Sequence, residues 1–248
     1  APPGGTSNGF RWFTGWTIRG HASSRIRILG ASGAALTSSG AARDGVTVQF
    51  CDVVTCGGIG IGPMGTLCVV DRCRVSGAGA NGITVAVGKS GTVIRNCEVR
   101  DTTGRGIIVI GAGSRAVHCT VARSSVHGID RQTGAAVTNC AVWSSGNTGV
   151  LGTNANVTYT LAWLSGTVNF DAPAGVGCIE VDPQFSDAAA NDFTPAGTAS
   201  PLVDAGVNAA ITASLNGATR PEGPGYDIGC YELVQAAPRG VLRAWCHT

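Results

Sequence analysis

Charge is scarce in this sequence: only 13% of its 248 residues are charged, and Lys89 is its single lysine among 17 basic residues. Aromatic residues are also few, at 6%. So little charge disfavours amphipathic helices, which need a charged face opposite an apolar stripe. Disorder is disfavoured as well, because it depends on high charge and few β-branched residues. The net charge is only +2 and no basic run occurs, which excludes an electrostatic nucleic-acid partner. No stretch approaches about 18 consecutive apolar residues, so no membrane-spanning helix is expected and no membrane insertion. The first five residues read as a processed end or a domain boundary rather than a signal peptide. Phosphate-loop, metalloprotease and Ser-His-Asp patterns are missing too.

What is abundant is glycine, at 38 residues, with many Thr, Ser, Ala and Val. That mixture favours short strands joined by tight turns. A repeat gives them order. Cys51, Cys73, Cys97, Cys119 and Cys140 follow one another at separations of 22, 24, 22 and 21 residues, each with Val two positions later. A second marker, Gly followed by a β-branched residue, accompanies each: Gly58-Ile59, Gly82-Ile83, Gly106-Ile107, Gly128-Ile129 and Gly149-Val150. Two markers holding one period over five copies define a solenoid. A single coil cannot bury its own inner face, whereas stacked coils make a continuous core.

The expected fold is therefore all-β, a right-handed parallel β-helix solenoid with a C-terminal capping segment. Coils fill residues 1–175, and residues 176–248 form a cap or tail packed on the helix. About seven coils at the spacing of neighbouring strands give a rod of about 30–35 Å. Within each coil, Cys and the residue two further on face inward, and the residue between them faces outward. That outward column reads Asp52, Arg74, Glu98, Thr120, Ala141 and alternates in sign over its first three members. Asn96 and Asn139, each just before a cysteine, are candidates for an asparagine ladder bonding backbone above and below. Aromatic-rich residues 10–29 are expected to form an irregular first coil, and residues 157–170 a last one closed by Tyr159, Trp163 and Phe170.

Stacking also decides the chemistry of the cysteines. Equivalent side chains in adjacent coils point the same way at nearly 5 Å, too far and too parallel for a disulfide. Cys51, Cys73, Cys97, Cys119 and Cys140 are expected to be a ladder of buried thiols. Zinc fits poorly, since no CxxC pair occurs and the cysteines lie on a line. Cys56 with Cys68, and Cys178 with Cys230, remain open as pairs, and Cys246 sits in the tail.

After residue 175 the period ends and three ordered motifs follow: Asp182-Pro183 with Phe185, Ser200-Pro201 with Asp204-Ala205-Gly206, and Asp227-Ile228-Gly229 with Tyr231-Glu232. Together they resemble the C-terminal region of the bacterial β-helix family of choice-of-anchor Q type, which lies behind pectate-lyase-like coils. The match covers residues 181–232, and departs from the family pattern at Cys230 and in lacking a recognisable sorting signal behind it. The resemblance implies a secreted or surface-displayed protein. Within the cap, Asp204 and Asp227 are expected to bond turn backbone, with Arg220 neutralising one of them. Asp182 and Phe185 belong to the same cap. Asp182, Asp187 and Asp192 are candidates for a calcium site by residue type, but their five-residue steps fit no known loop.

A catalytic reading competes with a structural one. The chain has 11 Asp and 4 Glu, most of the Asp in turns or tail. Asp52 and Glu98, two coils apart around Arg74, read more simply as an ion-pair ladder than as a hydrolase pair. Lys89, in the turn Gly88–Gly91, reads as a solvated corner. The pattern breaks most at His127, Asp130, Arg131 and Gln132, where polar residues stand in place of Thr-Val and Ile-Val. That makes them the candidate ligand-binding patch, with Arg105 and His118 as neighbours. No catalytic residue, metal or cofactor is assigned. The expectation is a non-catalytic structural or adhesive β-helix, extracellular or at the cell surface, or alternatively a virion component. Its expected partners are copies of itself, other surface or virion proteins, and glycans. The rival is a carbohydrate-active enzyme, a polysaccharide lyase or glycoside hydrolase.

Overall fold

The computed structural model describes residues 17–21, 23–37, 44–63, 65–152 and 156–235. Among these there is no helix. Three parallel sheets of seven strands each run the length of the molecule, and every third strand in sequence pairs with the last. The first rung is β1 (Thr17–Arg19), β2 (Ile26–Ala31) and β3 (Leu36–Thr37); the last is β19 (Val157–Thr158), β20 (Leu161–Trp163) and β21 (Val168–Phe170). Phe10, Trp12, Phe13 and Trp16 of the expected first coil, and Cys246, lie outside the described residues.

The interior is built of columns. On the first sheet Val48, Val70, Ile94, Ala116, Val137 and Val157 stack in register. On the second, Val53, Val75, Val99, Val121, Val142 and Ala162 do so. On the third the column is Leu36, Ile61, Ile83, Ile107, Ile129, Val150 and Phe170. The five repeat cysteines are buried free thiols between the first two columns. Burial pushes Cys73, Cys97 and Cys119 well above the usual thiol range, with the thiol of the following rung adding to the rise and that of the preceding rung opposing it. Their S–H groups donate to backbone oxygens, as Cys97 Sγ does to the carbonyl of Arg95 at 3.2 Å. Cys56, Cys178 and Cys230 are free thiols as well, so neither open pairing, Cys56 with Cys68 or Cys178 with Cys230, forms.

One marker needs re-registering. Ile61, not Ile59, pairs with Ile83, so the first copy is Gly60-Ile61. This glycine column turns so tightly that a Cβ at Gly106 would sit 2.3 Å from Val121 Cγ1 and 2.6 Å from the carbonyl of Gly128. Two corner columns take the left-handed backbone region instead. Before the repeat cysteines stand Phe50, Arg72, Asn96, His118 and Asn139, and Tyr159 continues the column before Thr160, all with φ between 46° and 53°. Asparagine tolerates this region better than most residues, which accounts for Asn96 and Asn139 there. They do not form the expected ladder: Asn96 Nδ2 donates to Asp71, and Asn139 bonds His118 and the tail.

The tail does two things. Ile179 adds a bridge beyond β20, closing part of the solenoid's end. Residues 183–235 then run back along the outside of the second sheet. A hairpin of β22 (Phe185–Asp187) and β23 (Asp192–Pro195) opens this return. Phe193, Leu215, Cys230 and Tyr231 pack on Ala122 and Trp143, and Leu202 and Ile228 on Ala141 and Leu161. Trp163 accordingly packs sideways against the tail and leaves the end to Phe170. The outward residues Glu98, Thr120 and Ala141 are buried for the same reason.

Candidate functional site

The polar break in the fourth coil is a compact cluster on the third sheet. Asp130 stands outward between Ile108 and Leu151 on the neighbouring rungs. Its Oδ2 lies 3.1 Å from Arg105 Nε and accepts a bond from Gln132 Nε2 at 3.0 Å. Arg131 is the register partner of the core residue Val109, and its Nη1 donates to the carbonyl of Ala135 at 3.2 Å. It clamps the corner beneath a groove of about 520 Å³ that Gln132, Thr133, Gly134, Gly152 and Asn156 also line. His127 is buried beside Arg105 and Asp130. Desolvation, then the charge of Arg105, lowers its pKa, with Asp130 and Asp171 opposing. The cluster thus offers a neutral imidazole and a carboxylate already held by a guanidinium. His118 is not part of it.

His118 lies at the opposite corner, beneath the tail. Its Nδ1 meets the carbonyl of Asp227 at 3.1 Å and its Nε2 meets Asn139 Nδ2 at 3.0 Å. A carbonyl only accepts and an amide nitrogen only donates, so the ring carries its proton on Nδ1 and is neutral. Burial, then the charge of Arg220, depresses its pKa to about 3. Around it the tail motifs lock together. Asp227 accepts from the backbone N–H of Asp204 and of Leu233, and Asp204 from that of Gly225. Arg220 finds its carboxylate in Glu232, not in either aspartate; to Asp227 it donates only at the backbone carbonyl. Asp182 takes the N–H of Gln184, and Phe185 meets Phe193 edge-on at 5.3 Å. Asp187 and Asp192 each accept a nearby backbone N–H, and no group of three metal-ligating side chains occurs among the described residues.

A third feature was not foreseen as a site. Because the tail reaches only as far as the fourth rung, the outer face of the second sheet lies open over its first rungs. There a groove of about 220 Å³ is lined by Arg27, Asp52, Arg74, Ser76, Glu98 and Arg100. Arg25 Nε holds Asp52 at 2.6 Å. Glu98 accepts from the phenol of Tyr231 at 2.5 Å and from Arg100 at 3.3 Å, with Arg74 at 4.0 Å. Burial raises the Tyr231 pKa, so the phenol keeps its proton and donates it. The columns were legible in sequence, but the phenol that holds Glu98 comes from a residue 133 positions away.

Three parallel sheets around one apolar shaft define a parallel β-helix. The family model for the right handed beta helix region matches residues 8–161, and the chain belongs to that family. Among solved structures it is similar to the crystal structure of pectate lyase Pel9A, at 13% identity over 91% of this chain and 84% of that one, with a TM-score of 0.42. No relative is found among curated proteins.

Proposed function

We propose that this chain is a non-catalytic structural or adhesive β-helix, displayed at a cell surface or on a virion, that meets glycans or copies of itself through the open face of its second sheet. The observation that carries this reading is the state of the carboxylates on its two polar surfaces. Asp52 is matched by Arg25, Glu98 by Arg100 and Tyr231, and Asp130 by Arg105 and Gln132. A carboxylate whose oxygens are already taken by guanidinium, phenol or amide donors is badly placed to exchange a proton with a substrate. Such a surface is suited to hydrogen-bonding a polar partner that it leaves unchanged. The resemblance of the tail to the choice-of-anchor Q type supports display outside the cell.

The test is incubation of the protein with uronate-containing and neutral polysaccharides, followed by assay for new reducing ends and for unsaturated-product absorbance. No product is expected, while pull-down on at least one insoluble polysaccharide or self-association in light scattering is. Product formation that disappears in Glu98→Gln, Asp52→Asn, His127→Ala or Asp130→Ala would establish the rival, a polysaccharide lyase or glycoside hydrolase.

A further inference from the structure

The two ends of the solenoid differ in charge and match in what they leave uncovered. At the first end β1, β2 and β3 are each the terminal strand of their sheet. Beside them opens a groove of about 510 Å³ lined by Ile18, Ile26, Ile28 and Leu36, together with Arg19 and Arg27. Ile26 is 37% exposed, although its register partner is the fully buried Cys51. Residues 1–43 hold five arginines and no acid. Arg25 is held by Asp52, whereas Arg19 and Arg27 are exposed and meet no carboxylate among the described residues.

At the other end the described chain begins an eighth rung and covers only its corner. Val176-Gly177-Cys178-Ile179 repeats the corner of the coils before it. The N–H of Tyr159 donates to the carbonyl of Val176 at 2.9 Å, as that of Asn139 does to Thr158 at 3.3 Å. Gly177 takes the left-handed backbone of the corner column, with φ 69°. Cys178 Sγ donates to the carbonyl of Val157 at 3.6 Å, as Cys140 Sγ does to that of Ala116 at 3.6 Å. Ile179 bridges Leu161. No described strand lies beyond this corner or beyond β21, and Val176 is 72% and Val168 41% exposed. The charge here is negative. Residues 171–192 hold five acids and no base. Asp171, Glu180 and Asp182 are exposed; they accept from Gly152, Asn169 and Gln184 and meet no arginine among the described residues.

We propose that these ends are the two faces of one contact, in which the first rung of one copy stacks on the eighth-rung corner of another. Continuing the register, Ile26 follows Cys178 in the cysteine column and Arg27 follows Ile179 in the outward column, beside Glu180 and Asp182. The contact covers apolar side chains and open strand edges at both ends. It also sets arginines that lack a carboxylate against carboxylates that lack an arginine. Residues 1–16 are the other candidate cover of the first end. They carry Arg11 and no acid, so they bring no counter-charge to Arg19 and Arg27. Strands stay parallel across the contact, so it is heterologous, and copies add along the axis without closing a ring. This contact is separate from the open face of the second sheet and does not depend on it.

The experiment measures the mass of the full chain by sedimentation velocity and light scattering over a range of concentrations. At low salt the mass is expected to climb with concentration past that of a dimer and to return to the monomer on dilution. It should fall as added salt screens the charges. Arg19→Glu with Arg27→Glu reverses one end, and Glu180→Arg with Asp182→Arg reverses the other. Each variant alone is expected to stay monomeric, because like charges then meet. An equimolar mixture of the two is expected to associate again, a rescue that misfolded variants would not give. Arg74→Ala, on the open face alone, should associate like the parent. A full chain that stays monomeric throughout overturns the proposal and makes residues 1–16 the cover. It is also overturned if either reversed variant associates like the parent, or if the mixture is no heavier than its components. Loss of association in Arg74→Ala overturns it as well, by moving the contact to the open face.

Discussion

At Gly106 a single hydrogen in place of a methyl group decides whether a rung closes. The absent Cβ would meet Val121 Cγ1 and the next rung's carbonyl well inside van der Waals contact; Gly60, Gly82 and Gly128 meet the equivalent valine and carbonyl in their own rungs, and Gly149 meets the carbonyl of Asn169 and Ser165 Oγ. The carbonyl belongs to the stacked backbone and cannot rotate away as a side chain would. Gly106→Ala is therefore expected to cost about 1–3 kcal/mol through overpacking, read as a lower thermal midpoint. An unchanged midpoint would mean that the corner relaxes freely. This column was readable in the sequence, because each glycine follows its cysteine by nine residues: Cys51 to Gly60, Cys73 to Gly82, Cys97 to Gly106, Cys119 to Gly128 and Cys140 to Gly149. The run from Gly57 to Gly62 holds two Gly-Ile pairs, and only that constant spacing separates Gly60 from Gly58. The corner residues are harder to read. Phe50 and Arg72 adopt the same left-handed geometry as Asn96 and His118, although nothing in their chemistry favours it. Stacking on neighbouring rungs holds them there.

At the scale of the element, docking of the tail depends on a neutral histidine. His118 has an ordinary pKa of 6.5 and a folded one of about 3. Between those values the unfolded chain binds the proton and the folded chain does not, so stability falls as pH falls. The slope is about 1.4 kcal/mol per pH unit for one proton. Burial raises the carboxyl pKa of Asp227 and Glu232, which opposes the loss at lower pH. The histidine effect is thus cleanest from 6.5 down to about 5, above the carboxylate range. Chemical denaturation across that window should show the decline, and His118→Asn, which places in this corner the residue already found at positions 96 and 139, should flatten it. Equal slopes in both proteins would dismiss His118 as the group responsible. Asp204 and Asp227 accept backbone N–H groups, but from Gly225, Asp204 and Leu233 rather than from the turns that follow them in sequence. The sequence did not reveal Glu232 as the partner of Arg220, because three carboxylates lie within reach along the chain and only the folded loop chooses among them.

At the scale of the whole molecule, the tail is a side wall as much as an end closure. Removing residues 183–235 would bare Ala122, Ala141, Leu161, Trp143 and Trp163 on the flank and leave Glu98 without its phenol donor. An exposed apolar strip of that kind associates. The truncated chain is expected to bind a hydrophobic dye and to aggregate in light scattering, where the intact chain does neither; a monomeric truncation with an unchanged thermal midpoint would show that the coils need no such cover.

Periodicity alone determined the coil, the inward face of every cysteine and the impossibility of disulfides along that column. Each of these follows from in-register stacking of one short unit, and information that is local and repeated survives in the order of residues. Tertiary structure decided which part of the outer surface is open. Glu98 and Thr120 are polar residues in outward positions, and they are buried because Tyr231 and Cys230, more than 100 positions downstream, return to lie over them. Such contacts join segments of different pattern only once, so no recurrence in the sequence records them.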